Sequence, residues 1–289
     1  MKTAFVSLTS KCNKKCFYCF YRQETFRNKK NKINSKNILS LLKILNEHKF
    51  QEITFTGGEP ILRSKLLLKS IREASANNFK IINLNTNGTL LNQALIESLV
   101  QNGLTNLYLS SSYIDSFSIG FLKQLTKVVS VTLIHVITKE NLEKLPEIVK
   151  ISDKISTELI IQPAYIREDY EKFEDLSLKI LSPSQWQFLS EEVKKWAHKN
   201  QKQNYAQLFL FYYKKEREYN FPQKCHMGKD DLIIDSDGTV FPCFHRQDLM
   251  AGNILLEAPS KIFNNLALFS EKTKKAKCFS ESCISLFYG

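Results

Sequence analysis

The sequence Cys12-Asn-Lys-Lys-Cys16-Phe-Tyr-Cys19 places three cysteines within eight residues, directly after a strand-like segment. Three thiolates in one loop can bind a metal ion or an iron–sulfur cluster, because soft sulfur ligands suit both. A structural zinc ion would need a fourth protein ligand, and the nearest histidine is His48. A four-iron cluster held by three cysteines would keep one iron open for an exogenous ligand.

The chain has 289 residues and seven cysteines, which lie in two groups near its ends. An odd number cannot pair completely in disulfides. Cysteines that only pack as small hydrophobes would be spread through the core. The grouping therefore predicts two thiolate-ligated sites. The N-terminal group is Cys12, Cys16 and Cys19, and the C-terminal group is Cys225, Cys243, Cys278 and Cys283.

The composition is that of an ordinary globular protein, with 43% hydrophobic and 24% charged residues. Lys and Arg number 41 against 29 Asp and Glu, for a net charge of +12. Most of the basic residues are scattered lysines, whereas specific nucleic-acid recognition relies on arginine, so we expect a solvated basic surface and no nucleic-acid partner. The sequence lacks a membrane-spanning apolar run and a secretory signal. We therefore expect a cytoplasmic protein with reduced thiols.

Three short motifs, taken together, resemble those of the radical S-adenosylmethionine (radical SAM) enzymes. The first three cysteines match the family's C-x3-C-x-aromatic-C signature, with Tyr18 as the aromatic residue. Residues 56–60, Thr-Gly-Gly-Glu-Pro, resemble the GGE motif after the second strand, and residues 85–88, Asn-Thr-Asn-Gly, resemble the segment that ends the third. Their order and spacing identify the chain as a member of this family.

Strand and helix periods alternate along residues 1–201, which predicts an α/β fold. Strands that alternate with helical crossovers pair in parallel, so we expect a partial (β/α)6 barrel of the TIM type. The resemblance implies the same open barrel, with functional residues at the carboxyl ends of the strands. The predicted strands are residues 3–8, 52–55, 80–85, 106–110, 130–137 and 157–162.

Polar residues alternate with aliphatic ones on the later strands, which predicts a polar lumen. The residues concerned are Asn83, Asn85, Tyr108, Ser110, Ser112, His135 and Gln162. A closing helix over residues 185–201 is predicted because Ser182, Pro183 and Gln185 can form a capping box. The aromatic and basic residues 202–224 would bridge the barrel to the next domain.

Residues 225–289 depart from the barrel pattern and predict a small cysteine-rich domain with a β-hairpin. Asp237-Gly238 is a strong hairpin turn signal. Such a hairpin would bring Cys225 and Cys243 towards one another. Its two strands would span residues 232–234 and 239–241.

The C-terminal cysteines admit two interpretations. An all-thiolate zinc ribbon would use four cysteines on a hairpin and a return loop. The segment also resembles the auxiliary-cluster domain of radical SAM enzymes, called SPASM in its full form and Twitch in a shorter one. The resemblance favours one auxiliary 4Fe–4S cluster of the Twitch type. The wide spacing of Cys278 and Cys283 departs from the family pattern, so His226 or His245 could replace one ligand.

The resemblance implies a role for each matched residue. Cys12, Cys16 and Cys19 would ligate a 4Fe–4S cluster whose open iron binds S-adenosylmethionine (SAM). One electron would split SAM, and the 5′-deoxyadenosyl radical would abstract a substrate hydrogen. The implied SAM contacts are Gly57, Gly58 and Glu59 at the amino group, Asn85, Ser110 and Ser112 at the ribose and methionine portion, and Tyr18 beside the adenine.

The resemblance does not identify the substrate. Enzymes with SPASM or Twitch domains often cross-link or epimerise ribosomally made peptides, and others act on small metabolites; we expect a peptide. A flavodoxin- or ferredoxin-type protein would supply the electron. If every cysteine is a cluster ligand, none is left to donate a hydrogen atom to the substrate radical. Tyr113 or Tyr165 could then be the donor. A zinc or electron-transfer protein would also use two cysteine groups, but it would have no use for a GGE loop at a barrel mouth.

Overall fold

The computed structural model describes residues 1–19, 30–166, 168–202, 205–206, 209–210, 228–244 and 246–275. Its strands are β1 (Lys2–Thr9), β2 (Phe50–Gly57), β3 (Ile81–Thr86), β4 (Asn106–Ser110), β5 (Ser130–Ile137), β6 (Glu158–Pro163), β7 (Asp231–Ile234), β8 (Thr239–Phe241) and β9 (Gly252–Asn253). Its helices are α1 (Ile38–Glu47), α2 (Ser64–Ala76), α3 (Gln93–Gln101), α4 (Ile119–Val128), α5 (Leu145–Lys154), α6 (Phe173–Leu176), α7 (Pro183–Lys199) and α8 (Pro259–Lys275).

These nine described strands form one sheet, in the order β6-β5-β4-β3-β2-β1-β7-β8-β9. Strands β1 to β6 pair in parallel, each with its neighbour along the chain. With their crossover helices they form the predicted partial (β/α)6 barrel, so the expected fold class is confirmed. The predicted bounds of β4 and β5 agree with the structure, and those of the other barrel strands differ by one or two residues.

The helices pack on the sheet through the apolar stripes that the sequence periodicity predicts. In α1, Ile38, Leu41, Leu42 and Leu45 are all buried; each such side chain contributes about 1.5–3 kcal/mol by leaving water. The longest helices, α7 and α8, have 17 residues each. Among the described residues, no helix combines the length and the hydropathy needed to span a membrane.

Helix α7 begins with the predicted capping box. The Ser182 hydroxyl accepts from the Gln185 amide at 3.2 Å, and the Gln185 side chain accepts from the Ser182 amide at 3.0 Å. Pro183 occupies the first helical position, where its missing N–H costs nothing. The helix ends at Lys199, two residues earlier than predicted.

The strand register sorts the barrel residues onto two faces. Aliphatic and aromatic residues such as Val6, Phe55, Leu84 and Leu109 are fully buried in the main apolar core, which they share with the helices. The alternate residues face the lumen and are mostly polar. The lumen is therefore lined by polar side chains, as the sequence alternation predicts.

A hydrogen-bonded network fills the amino end of the lumen. Asn83 donates to Glu52 Oε1 at 2.7 Å and to Thr54 Oγ1 at 3.2 Å, and it accepts from Asn106 Nδ2 at 2.8 Å. Thr3 Oγ1 donates to the other oxygen of Glu52 at 3.1 Å. Asn83 is thus a satisfied interior residue in the middle of β3.

His135 packs on the helix-facing side of β5 and not in the lumen, so this part of the predicted lining is wrong. It is 3% exposed, and Leu133 and Ile137 on the same face are fully buried. Its Nδ1 lies 2.8 Å from the Ser111 hydroxyl, while Nε2 has no partner among the described residues. Burial, aided by the charge of Lys144, lowers the pKa of His135 to about 4.

The C-terminal hairpin extends the barrel sheet beyond β1. β7 pairs in parallel with β1, and β8 and β9 continue in antiparallel fashion, as the predicted hairpin requires. The turn contains Gly238 at φ +89°, a conformation that glycine adopts readily. Cys243 follows β8 and is buried, and the next residue, Phe244, meets Phe5 of β1 edge-on at 5.5 Å.

Several C-terminal predictions lie outside the described residues. These are the ligand assignments of Cys225, Cys278 and Cys283 and the alternative ligands His226 and His245. Most of the bridge over residues 202–224 also lies outside them. Where it is described, Tyr205 and Phe209 are buried, and Tyr205 donates to the Ile161 carbonyl. The boundaries 1–201, 202–224 and 225–289 stay predictions.

The buried, neutral His135 predicts a stability that depends on pH. Its folded pKa of about 4 lies below the ordinary value of about 6.5, so the unfolded chain binds a proton that the native state does not. Stability should fall as the pH drops from 6.5 towards 4. Relative to His135→Asn, the native protein should lose about 2 kcal/mol between pH 7.5 and 5. Anaerobic guanidinium unfolding measures this; a difference that does not change with pH would contradict the assignment.

Candidate active site

The predicted site residues meet at the carboxyl ends of the first four strands. The cysteine loop (residues 12–19) follows β1, Gly57 ends β2, and residues 85–88 span the end of β3. Ser110 ends β4. In a parallel barrel these ends surround one mouth, so the structure brings the three sequence motifs together.

Gly57 and Gly58 form the close contact between β2 and the segment that leads into the cysteine loop. The Gly58 amide donates to the Thr9 carbonyl at 2.7 Å, and the Glu59 amide donates to the Lys11 carbonyl at 2.8 Å. A Cβ on Gly57 would lie 2.3 Å from the Thr9 oxygen, and one on Gly58 would lie 2.1 Å from the Lys11 oxygen. Gly57 also has φ +130°. Only glycine fits at these two positions.

The Glu59 side chain holds the loop after β3. It is fully buried and accepts hydrogen bonds from the Ile61 amide at 3.1 Å, the Thr86 hydroxyl at 2.8 Å and the Asn87 amide at 2.8 Å. Burial raises the pKa of Glu59, and these three bonds oppose the rise because they favour the carboxylate. The sequence resemblance implies that this carboxylate contacts SAM. The carboxylate also positions the loop after β3 through these bonds, and its contact with SAM stays a prediction.

Cys12 is the exposed cysteine of the loop, and two N–H donors approach its sulfur. The Lys14 amide lies 3.4 Å and Asn87 Nδ2 3.7 Å from Sγ. Asn87 is held in turn by Asn13 Oδ1 at 2.9 Å. Partial burial raises the pKa of the Cys12 thiol, and the Lys14 amide opposes this. The sequence motif included Asn87, but only the structure identifies its side chain as a contact of the first cysteine.

The short 3-10 helix Ser111–Ser116, here called the β4 turn, contacts the cysteine loop through two hydroxyl groups. Tyr113 Oη lies 3.2 Å from Cys16 Sγ, and Ser112 is hydrogen-bonded to the Tyr18 hydroxyl. Burial is the main reason that the pKa of each tyrosine is raised. Two predicted SAM contacts, Tyr18 and Ser112, are thus side by side. The contact between Tyr113 and Cys16 has no signal in the sequence pattern.

Asn85 and Ser110 are half-buried on the lumen face just inside the mouth. The Asn85 Oδ1 atom is buried and has no hydrogen-bond partner within the described ranges. Such an oxygen is costly to leave unpaired, and an N–H or O–H group of a ligand would satisfy it. Ser110 Oγ accepts a long bond, 3.4 Å, from the Ser112 amide, and its hydroxyl also interacts with the Tyr18 side chain. These two residues fit a polar ligand such as SAM.

Within the described residues, the three thiols of the cysteine loop do not form a ready-made site for a single metal ion. Zinc needs every ligand sulfur within about 2.3 Å of one point. In the described part of the chain, no three His, Cys, Asp or Glu side chains converge in this way. In a four-iron cluster each cysteine binds a different iron, so the sulfurs lie farther apart. Cys12, Cys16 and Cys19 lie in one loop, in which the Cys19 amide donates a hydrogen bond to the Cys16 carbonyl at 3.2 Å, and each could bind a different iron.

Two family models match the chain. The model of the Radical SAM superfamily matches residues 6–130, and the SPASM model, an iron–sulfur cluster-binding domain, matches residues 225–283. Together they account for more than half of the sequence. The first includes the cysteine loop and the residues of the mouth, and the second includes all four C-terminal cysteines.

Curated relatives resemble the chain over part of their length. The GTP 3′,8-cyclase of Clostridium acetobutylicum is 32% identical over 130 residues, which are 43% of this chain and 40% of that protein. The tungsten-containing aldehyde ferredoxin oxidoreductase cofactor-modifying protein of Pyrococcus furiosus is 27% identical over 190 residues, 63% of this chain and 49% of that protein. The chain thus spans less than half the length of these relatives.

Solved structures share the fold at low sequence identity. The protein anSMEcpe with bound AdoMet has a TM-score of 0.67 at 20% identity, over 97% of this chain and 87% of that one. Streptococcus suis SuiB bound to S-adenosylmethionine has a TM-score of 0.63 at 18% identity, over 85% of this chain and 60% of that one. Both likenesses concern the arrangement of the backbone.

The contact at Gly58 predicts that a single methyl group will disrupt the mouth. In Gly58→Ala the Cβ would lie 2.1 Å from the Lys11 carbonyl oxygen, and overpacking of this kind costs about 1–3 kcal/mol. Thermal unfolding should shift to lower temperature, and iron bound after anaerobic reconstitution should fall.

Gly120→Ala is the matched control, because its Cβ would meet only Ser118 Oγ, at 3.8 Å. Gly120 lies in the first turn of α4, where alanine favours the helix. The control should unfold at the same temperature or a higher one, with unchanged iron. Equal behaviour of the two variants would show that the glycine contact does not support the site.

Proposed function

Since the chain belongs to the radical SAM superfamily and carries a SPASM domain, we propose that it abstracts a hydrogen atom from a peptide and thereby cross-links or epimerises it. The enzyme uses SAM, a SAM-binding 4Fe–4S cluster and an auxiliary iron–sulfur cluster. When bound, these cofactors supply reductive cleavage of SAM to a 5′-deoxyadenosyl radical. The protein supplies ligation, orientation and exclusion of water.

Each residue at the mouth has a proposed part in that task. Cys12, Cys16 and Cys19 would hold the first cluster. Glu59 would fix the loops that shape the SAM pocket, through its three buried hydrogen bonds. The proposed SAM contacts are the Gly57 and Gly58 carbonyls, Glu59, Asn85, Ser110, Ser112 and Tyr18. The proposed auxiliary-cluster ligands are Cys225, Cys243, Cys278 and Cys283.

The lack of lysine and arginine on the lumen side of strands β1 to β6 is the observation that favours a peptide over a nucleotide. Strands β1 to β6 are described throughout, and their lumen-facing residues include two carboxylates, Glu52 and Glu158, and no Lys or Arg. Burial and then these two carboxylates raise the pKa of Tyr108 between them. A triphosphate is held by arginine, lysine or metal ions. Both carboxylates lie near the amino ends of their strands, where Glu52 is hydrogen-bonded to Asn83 and the exposed Glu158 pairs with Lys202 at 3.5 Å. The strand residues near the mouth are therefore uncharged, which suits a peptide better than a triphosphate.

The fold also accommodates a peptide in a structural neighbour. SuiB has been solved bound to the precursor peptide SuiA, and the TM-score to that structure is 0.59 at 18% identity. The likeness concerns the fold, so it supports the proposal without identifying the peptide. A small metabolite is the alternative substrate class.

The electron donor of this proposal is a flavodoxin- or ferredoxin-type protein. Opposite charges steer association, so a donor with an acidic surface would be drawn to a basic region of this protein. Lys11 and Lys15 are exposed beside Cys12, which is itself exposed. The edge of the cysteine loop is therefore a suitable place for an acidic donor to approach the cluster.

The activity class is tested by adding SAM and dithionite to the anaerobic protein and measuring 5′-deoxyadenosine. The native protein should form it. Cys16→Ala should form no more than a protein-free control, because the loss of one of three ligands should prevent cluster assembly, while Gly120→Ala should keep the native rate. Unchanged formation by Cys16→Ala would refute the ligand role.

The substrate class is tested with deuterated candidates. Short peptides encoded beside the gene, labelled at their Cα or Cβ hydrogens, are compared with labelled GTP at equal concentration. We expect deuterium in 5′-deoxyadenosine from a peptide and none from GTP. Transfer from GTP, or from a small metabolite only, would overturn the peptide proposal and leave the enzyme class intact.

A further inference from the structure

We infer that the Tyr113 hydroxyl donates a hydrogen bond to the Cys16 thiolate and thereby raises the reduction potential of the SAM-binding cluster. The inference rests on the proposed ligand role of Cys16. It assigns to Tyr113 a positioning and tuning role that differs from hydrogen-atom donation to the substrate, the role that the sequence suggested for it.

The direction of the hydrogen bond follows from the chemistry of the two groups. Tyr113 Oη lies 3.2 Å from Cys16 Sγ, within the range for a bond to sulfur. A cluster ligand is a thiolate and has no proton to give. A phenol, with an ordinary pKa of about 10, keeps its proton at neutral pH. Tyr113 is therefore the donor and the sulfur of Cys16 is the acceptor.

The aromatic ring of Tyr113 is held in place from two sides. The ammonium group of Lys14, in the cysteine loop, lies over the ring at 4.6 Å from its centre. On the other side the β4 turn is anchored to β5 by the bond between Ser111 and His135 at 2.8 Å. Within this turn Tyr113 alone leaves helical backbone angles, with φ −128° and ψ 21°. These contacts with the cysteine loop and with β5 hold the Tyr113 hydroxyl next to the Cys16 sulfur.

A donor at this position favours the reduced cluster. Reduction adds one electron, and the extra negative charge is shared by the ligand sulfurs. A hydrogen bond to a sulfur stabilises that charge, and such bonds are among the features that set cluster potentials. Dithionite supplies the electron, no covalent bond forms or breaks, and the proton stays on the Tyr113 oxygen. The hydrogen bond from Tyr113 would thus raise the reduction potential of the cluster, so that its reduction needs a less strong reductant.

The test is a potentiometric titration of the anaerobic, reconstituted protein, followed by electron paramagnetic resonance. The signal that changes on addition of SAM identifies the first cluster and separates it from the auxiliary one. In Tyr113→Phe the reduction equilibrium should become about tenfold less favourable, which is about 59 mV lower for one electron. Iron and sulfide content should stay at the native level.

Tyr170→Phe is the matched control, because the Tyr170 hydroxyl also reaches the cysteine loop but donates to the Phe17 carbonyl, at 3.2 Å, and not to sulfur. Its potential should equal the native one. An unchanged potential in Tyr113→Phe with full iron content, or an equal fall in both variants, would overturn the inference.

Two further outcomes are also decisive. If Tyr113→Phe fails to assemble the cluster, a fluorotyrosine at position 113, a stronger hydrogen-bond donor, should raise the potential above the native value, and no rise would overturn the inference. If the native protein itself binds no iron and sulfide through Cys16, the proposed function fails first. Iron analysis of the native protein thus separates the two failures.

Discussion

The backbone contact between Gly57-Gly58 and residues 9–11 is the constraint on which the site depends. Two hydrogen bonds from backbone amides to backbone carbonyls join the end of β2 to the segment that leads into the cysteine loop. The two backbones are so close that neither glycine position has room for a side chain. A loop with three thiols but without this support would have to order itself around a cluster at a larger entropic cost. Glu59, the next residue, extends the same contact to β3 through Thr86 and Asn87. One motif thereby positions three strand ends.

Much of the fold can be predicted from short sequence patterns, because interactions between neighbouring residues determine where helices and strands begin and end. The capping box of Ser182 and Gln185 and the bounds of β4 need only neighbouring residues, and both are as predicted. The side on which His135 lies could not be found in this way. Ile134 and Val136 beside it are aliphatic, so alternation suggests that His135 faces the lumen, whereas the register places it under the helices with Ser111. Because Ser111 is hydrogen-bonded to His135, the histidine can occupy a buried, helix-facing position that alternation would assign to an aliphatic residue.

The sequence predicts those residues of the candidate site that belong to short motifs of fixed spacing. Cys12, Cys16, Cys19 and the two glycines stand in fixed spacings, and the structure brings them to one mouth. Contacts between residues far apart in the chain carry no such signal. The pairing of Tyr113 with Cys16 joins positions 97 residues apart, and the buried position of the Glu59 carboxylate depends on a loop from another strand. The overall charge of +12 likewise gave no sign that the lumen side of strands β1 to β6 would lack lysine and arginine.

The proposed chemistry requires that the three cysteines leave one iron free for SAM. Electron–nuclear double resonance on the reduced, anaerobic protein tests this directly, with SAM labelled by nitrogen-15 at its amino group and oxygen-17 at its carboxylate. The account predicts magnetic coupling of both labels to the cluster of the cysteine loop. A cluster whose spectrum shows no coupling to either label while SAM is bound would contradict it.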